Sequence, residues 1–128
     1  DHSPLLNAIL KLKERKVRII ITSDHGTVRV QNPSKIIGDK ATTTNLRYKT
    51  GRNLNFNEKE VFYIKNPKEA FLPKSNLSSS YVFAKEDYYF CYPNNYNHFV
   101  NYYRNTFQHG GVSIEEVIVP VAVFESKN

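Results

Sequence analysis

The run Val17-Arg18-Ile19-Ile20-Ile21 constrains the fold more than any other feature of this chain. Four of its five residues are β-branched, which suits an extended strand. Polar alternation is nearly absent, the pattern of a strand covered on both faces in a parallel sheet flanked by helices. Upstream, Ser3-Pro4 reads as a helix start, with a hydroxyl at the N-cap and proline at the first helical position. Leu5, Leu6, Ile9 and Leu10 then recur at helical spacing, and the helix is expected to end near Arg15 or Lys16. A helix joined tightly to a buried strand is half of a βαβ unit, so the expected class is α/β with a central, largely parallel sheet.

The strand stops at Thr22-Ser23-Asp24-His25-Gly26, which puts Asp24 and His25 just past its carboxyl end, where open α/β sheets bind their ligands. Gly26 is read as permitting a backbone conformation that a residue with Cβ would resist. Residues 31–80 are polar and irregular, with turn signals at Asn32-Pro33, Gly38-Asp39 and Thr50-Gly51-Arg52-Asn53. Short strands are expected at Thr44–Tyr48 and Val61–Ile64, and a helical turn from Asn66-Pro67 to Phe71. Tyr81–Ala84 and Tyr88–Tyr92 read as aromatic strands on either side of a turn. Pro93 opens a helix with Tyr96, Phe99, Val100 and Tyr103 on one face. Phe107-Gln108-His109-Gly110-Gly111 reads as a glycine-bearing loop, and Ser113-Ile114-Glu115-Glu116 as a capping box. A last strand runs from Val117 to Phe124, with Pro120 marking an edge or a bulge.

Composition narrows the function classes. A hydrophobic fraction of 40% and a charged fraction of 23% suit one globular domain in 128 residues. No apolar run reaches the roughly 20 residues that span a bilayer, so membrane insertion is not expected. A single cysteine fits a reducing compartment, and the cytoplasm is the expected location. The net charge of +6 favours anionic partners. A nucleic-acid module would need a coherent basic face, which the pattern does not display. The chain has no Met and opens at Asp1, so it is expected to be part of a longer polypeptide.

Chemistry gathers at two loops. A carboxylate and an imidazole at Asp24-His25 can both ligate a divalent ion, and zinc accepts both ligand types. His109 also precedes glycine. The plainer alternatives are an Asp and a His that cap nearby backbone, and a glycine turn with an incidental His. Three ligands are the usual minimum for catalytic zinc, so the set is short. Arg47, Tyr48, Lys49 and Arg52 form a basic cluster near a turn that could hold a phosphate or a nucleotide, or could simply be a solvated loop.

Thr22-Ser23-Asp24-His25-Gly26, after a helix and a strand, resembles the Asp-His-Gly metal loop of the alkaline phosphatase superfamily. His109-Gly110-Gly111-Val112-Ser113-Ile114-Glu115-Glu116, followed by Val119-Pro120, looks like the later metal-binding histidine motif of its PglZ-domain branch. The likeness spans nearly the whole chain and is weakest between Gln31 and Ser80. Within the branch it is closest to the output domain of PorX-type response regulators linked to type IX secretion. Asn45-Leu46-Arg47-Tyr48-Lys49 and Tyr92-Pro93-Asn94-Asn95-Tyr96 contribute to that impression.

The resemblance implies that residues 1–128 are the C-terminal part of an alkaline-phosphatase-like domain. Asp24, His25 and His109 would help to hold two divalent ions, zinc by ligand type. The Ser or Thr nucleophile would lie upstream, leaving no catalytic residue in this chain, and Asp1-His2 does not match the family's spaced ligand pair. The implied activity is metal-dependent hydrolysis of a phosphate ester or phosphodiester, as a two-component output domain acting on a nucleotide-type substrate, with signalling proteins as partners. The alternative is a catalytically silent, metal-stabilised regulatory or interaction module.

Overall fold

In the computed structural model, which describes residues 3–39, 42–74 and 76–125, the elements follow in order: α1 (Pro4–Leu12), β1 (Ile19–Thr22), β2 (Val28–Arg29), β3 (Asn32–Lys35), β4 (Tyr48–Gly51), β5 (Val61–Ile64), β6 (Ser80–Ala84), β7 (Tyr88–Cys91), α2 (Tyr96–Tyr103), β8 (Phe107–Gln108), α3 (Ile114–Val117) and β9 (Val121–Phe124). They divide into two compact units, one of Asp1–Asp24 with Val119–Asn128 and one of His25–Ile118. Asp1 and His2 lie outside the described residues.

In the first unit, Ser3 caps α1 by accepting a hydrogen bond from the Leu6 N–H at 3.3 Å, and Pro4 opens the helix as the sequence predicts. The helix stops at Leu12. A 3-10 turn over Lys13–Arg15 follows, and Lys16 at φ +48° breaks it. β1 pairs antiparallel with β9, from Ile19 opposite Phe124 to Thr22 opposite Val121. The parallel sheet covered on both faces is therefore not what the described residues form here. The sides of β1 alternate in exposure, Ile20 is 61% exposed, and every residue of β9 is exposed. Arg18 meets Glu125 at 2.6 Å, an exposed pair that contributes little. Pro120 falls just before β9, which is where a residue without an N–H does least damage to a ladder.

The second unit holds the core. β5 and β4 flank β6 in an antiparallel sheet, β2 pairs antiparallel with β8, and β3 pairs parallel with β7. The α/β class holds as several small sheets with short helices. Asn32-Pro33, read as a turn, lies in β3, and Val28–Arg29 and Phe107–Gln108 are strands the sequence did not suggest. Two-residue strands are too short for a period to show. β6 and β7 flank a turn as expected but do not pair with each other. Leu46 and Arg47 lie between them instead, with carbonyls that accept from Phe90 N and Ala84 N, each at 2.8 Å.

Strand alternation makes β7 the divider of the core. Tyr89 and Cys91 point into one cluster with Val28, Val30 and Val100, where Leu46, Phe99 and Tyr103 pack. Phe90 points into the other, with Ile36, Val61, Val82 and Ala84. The Tyr89 hydroxyl donates to the Val100 carbonyl at 2.7 Å and ties α2 to β7. No described helix is long and apolar enough to cross a membrane.

Candidate metal centre

His25 and His109 are 84 positions apart and meet. Their ring centroids lie 3.8 Å apart with the planes 11° from parallel. The β2–β8 ladder explains the encounter, because Val28 opposes Gln108 and one residue beyond the ladder on each strand lie Thr27 and His109. The His25 Nδ1 lies 2.9 Å from the Gly26 carbonyl oxygen. A carbonyl can only accept, so Nδ1 carries the proton and the lone pair of the neutral ring sits on Nε2. Metal-binding histidines are commonly oriented in this way by a backbone carbonyl. His25 is half-buried and His109 exposed. Asp24 is exposed, precedes His25 directly in the chain and ends the first segment of the first unit.

Both histidine loops are tied to Glu116. Its backbone carbonyl accepts the Gly26 N–H at 2.8 Å. Its carboxylate accepts the N–H of Gly111 at 2.9 Å and of Ser113 at 3.1 Å. The latter bond is the Glu half of the capping box expected at Ser113–Glu116. Gly26 is glycine because of this close approach rather than its dihedral angle. A Cβ there would stand 1.9 Å from the Glu115 carbonyl oxygen. Gly110, by contrast, has φ +102°, where side chains are disfavoured. Asn45 Nδ2 also reaches the His109 carbonyl at 3.4 Å.

Behind the carboxylate lies Arg47, fully buried. Its Nε and Nη2 meet the two Glu116 oxygens at 2.9 and 3.0 Å in a bidentate pair. Nη2 also donates to the Glu86 carbonyl at 2.8 Å, and Nη1 donates to the Tyr88 carbonyl. Burial pushes the Glu116 carboxyl up, but hydrogen bonds from Arg47, Gly111 and Ser113, with the Arg47 charge, outweigh it and hold the group below its ordinary value.

The basic cluster of the sequence thus does not assemble on one surface. Arg47 is committed to Glu116. Lys49 is also buried, two residues on along the same face, because side chains alternate along an extended segment. Tyr48 points the other way and lies near Phe83, with ring centroids 6.1 Å apart. Arg52 is exposed beside Asp39 at 3.3 Å. Sequence reasoning missed the role of Glu116. The capping-box spacing marks the residue, but nothing in the order of residues marks a partner 69 positions away.

The donors present suit a divalent transition ion in kind, two imidazoles with one tautomer set by the backbone. They fall short in number. Among the described residues no group of three His, Cys, Asp or Glu side chains is arranged to hold a metal. No curated protein matches the chain. The family model of the BREX system PglZ alkaline phosphatase-like domain matches residues 3–124. The chain therefore belongs to the PglZ family of alkaline phosphatase-like domains, a phosphoesterase type of fold.

Proposed function

We propose that this chain supplies part of a metal-dependent phosphoesterase centre, in which His25 and His109, with Asp24, hold divalent ions. The observation that carries the reading is the meeting of two imidazoles from loops 84 positions apart, each loop hydrogen-bonded to Glu116. When bound, such ions, zinc by the nature of these donors, supply Lewis acidity toward a phosphoryl oxygen and a nucleophile usable at neutral pH. The chain's own residues do the positioning. The Gly26 carbonyl fixes which His25 nitrogen carries the proton, Asn45 holds the His109 carbonyl, and Glu116 holds the Gly111 N–H. The exposure of His109 leaves room for a substrate. The charge of +6 favours an anionic one.

The domain reading follows the same line. Residues 1–128 act as the later part of an alkaline-phosphatase-like domain whose nucleophile comes from elsewhere in the protein, with β1 and β9 belonging to a wider, largely parallel sheet. The apolar residues that β1 and β9 leave exposed support that reading. The likeness of the 45–49 and 92–96 segments to response-regulator output domains supports a signalling role with a nucleotide-type substrate. In the full-length protein, His109→Ala is expected to lower hydrolysis of a model phosphodiester at least roughly a hundredfold, the scale of a lost electrostatic contact. Metal-free melting should barely change. Unchanged activity together with a large loss of folding would favour the metal-stabilised regulatory module instead.

A further inference from the structure

Among the described residues, Lys49 is a buried cation without an anion. It is 1% exposed. Its Nζ donates to the Thr43 carbonyl at 2.9 Å and sits 4.6 Å from the centre of the Tyr92 ring. Among the described residues it forms no ion pair. The buried guanidinium two residues earlier has the Glu116 carboxylate, but Lys49 has only a carbonyl and a ring face. An ammonium taken out of water is costly unless a charge of opposite sign reaches it. Burial lowers Lys49 to about 8. The Cys91 thiol does not supply the charge, because burial pushes it up to about 11 and keeps it neutral.

The same lysine lines a cavity of about 210 Å³ with Leu46, Phe90, Cys91, Phe99 and Tyr103, and Thr44 stands exposed at its edge. For scale, an apolar cavity of about 150 Å³ accepts benzene. Apolar walls around one well-placed polar group are the usual make-up of a small-molecule site.

We propose that this cavity is a binding site for a small carboxylate with a compact apolar or aromatic body, its carboxylate on the Lys49 ammonium and its body against Phe99 and Tyr103. The cavity adds one convergent cation to walls that offer little else to a polar ligand. A phosphate dianion is a poor occupant, because the walls would strip its water without replacing those hydrogen bonds. A carboxylate presents one charge to the lysine and leaves the rest of its surface to the rings. The site stands independently of the metal reading and of the two histidines.

The test is a titration of the isotope-labelled full-length protein with benzoate, followed by NMR at pH 7. Benzoate is expected to shift the amides of Thr44, Leu46, Cys91 and Tyr103 together with the Lys49 side-chain signals, and to raise the Lys49 titration point. Benzyl alcohol and inorganic phosphate should each bind at least tenfold more weakly. Lys49→Met should weaken benzoate at least tenfold while the fold persists. Thr44→Phe, a change at the exposed rim, should block benzoate with Lys49 intact, and it decides the matter if Lys49→Met does not fold. Equal affinity for benzyl alcohol and benzoate would reduce the site to a dry cavity and overturn the proposal. So would stronger binding of phosphate, no response to benzoate, or full binding by folded Lys49→Met.

Discussion

Removing the Glu116 carboxylate should strongly destabilise the second unit. Glu116→Ala leaves the Arg47 guanidinium buried with its bidentate partner gone, and leaves the Gly111 and Ser113 N–H groups without their acceptor. The two side chains are 0% and 1% exposed, so solvent does not screen the loss. Breaking a buried pair in this way costs about 3–5 kcal/mol. Domains are stable by only about 5–15 kcal/mol. For a unit of this size a loss of about 4 kcal/mol lowers the melting temperature by on the order of 20 °C. The chain has no tryptophan, so urea denaturation is best followed by far-UV circular dichroism. A double-mutant cycle isolates the pair. Arg47→Met and Glu116→Gln should each destabilise strongly, and the double variant should regain at least half of the summed loss because no unpaired charge remains. A cost below about 1 kcal/mol for Glu116→Ala, or strictly additive losses in the cycle, would refute this account of the buried pair.

Two further outcomes are expected. Gly26→Ala forces a Cβ against the Glu115 carbonyl, so α3 and the His25 loop must separate. Zinc affinity measured by calorimetry should fall at least tenfold, and unchanged affinity would show that the close approach does not position His25. Lys49 has a folded value of about 8 against an ordinary 10.5. From pH 8 to 10.5 the unfolded chain therefore holds more protons, and stability should rise with pH by up to about 3 kcal/mol. Cys91, raised from 9.0 to about 11, acts with the opposite sign between those values, so wild type and Lys49→Met are compared by urea midpoint at each pH. A rise that persists in Lys49→Met would assign it to another group.

Local features were legible in the sequence, and long-range ones were not. The Ser3-Pro4 start and the Ser113–Glu116 cap rest on contacts within a few residues, and the Val61–Ile64 and aromatic strands on their own β-branched and aromatic composition, which a one-dimensional pattern records. The antiparallel partner of β1, the parallel pairing of β3 with β7 and the burial of Arg47 depend on segments tens of residues away. An arginine among polar residues looks the same whether water or a carboxylate awaits it. The loops bearing His25 and His109 could be marked by their glycines, but their meeting is set by the β2–β8 ladder. That ladder is two residues long on each side, too short to leave a period.

The pairing of β2 with β8 also dictates a timetable. Val28 is synthesised 80 residues before its partner Gln108. At the usual ~5–20 residues per second, that gap is about 4 to 16 s. Throughout it the first histidine loop has neither its ladder nor the Glu116 carbonyl that holds Gly26. His25 thus stands on an unanchored loop, and the two-histidine arrangement can form only when synthesis of this stretch is almost complete. The late arrival of β8 and α3 delays the meeting of the two imidazoles until every strand from β3 to β7 has been synthesised.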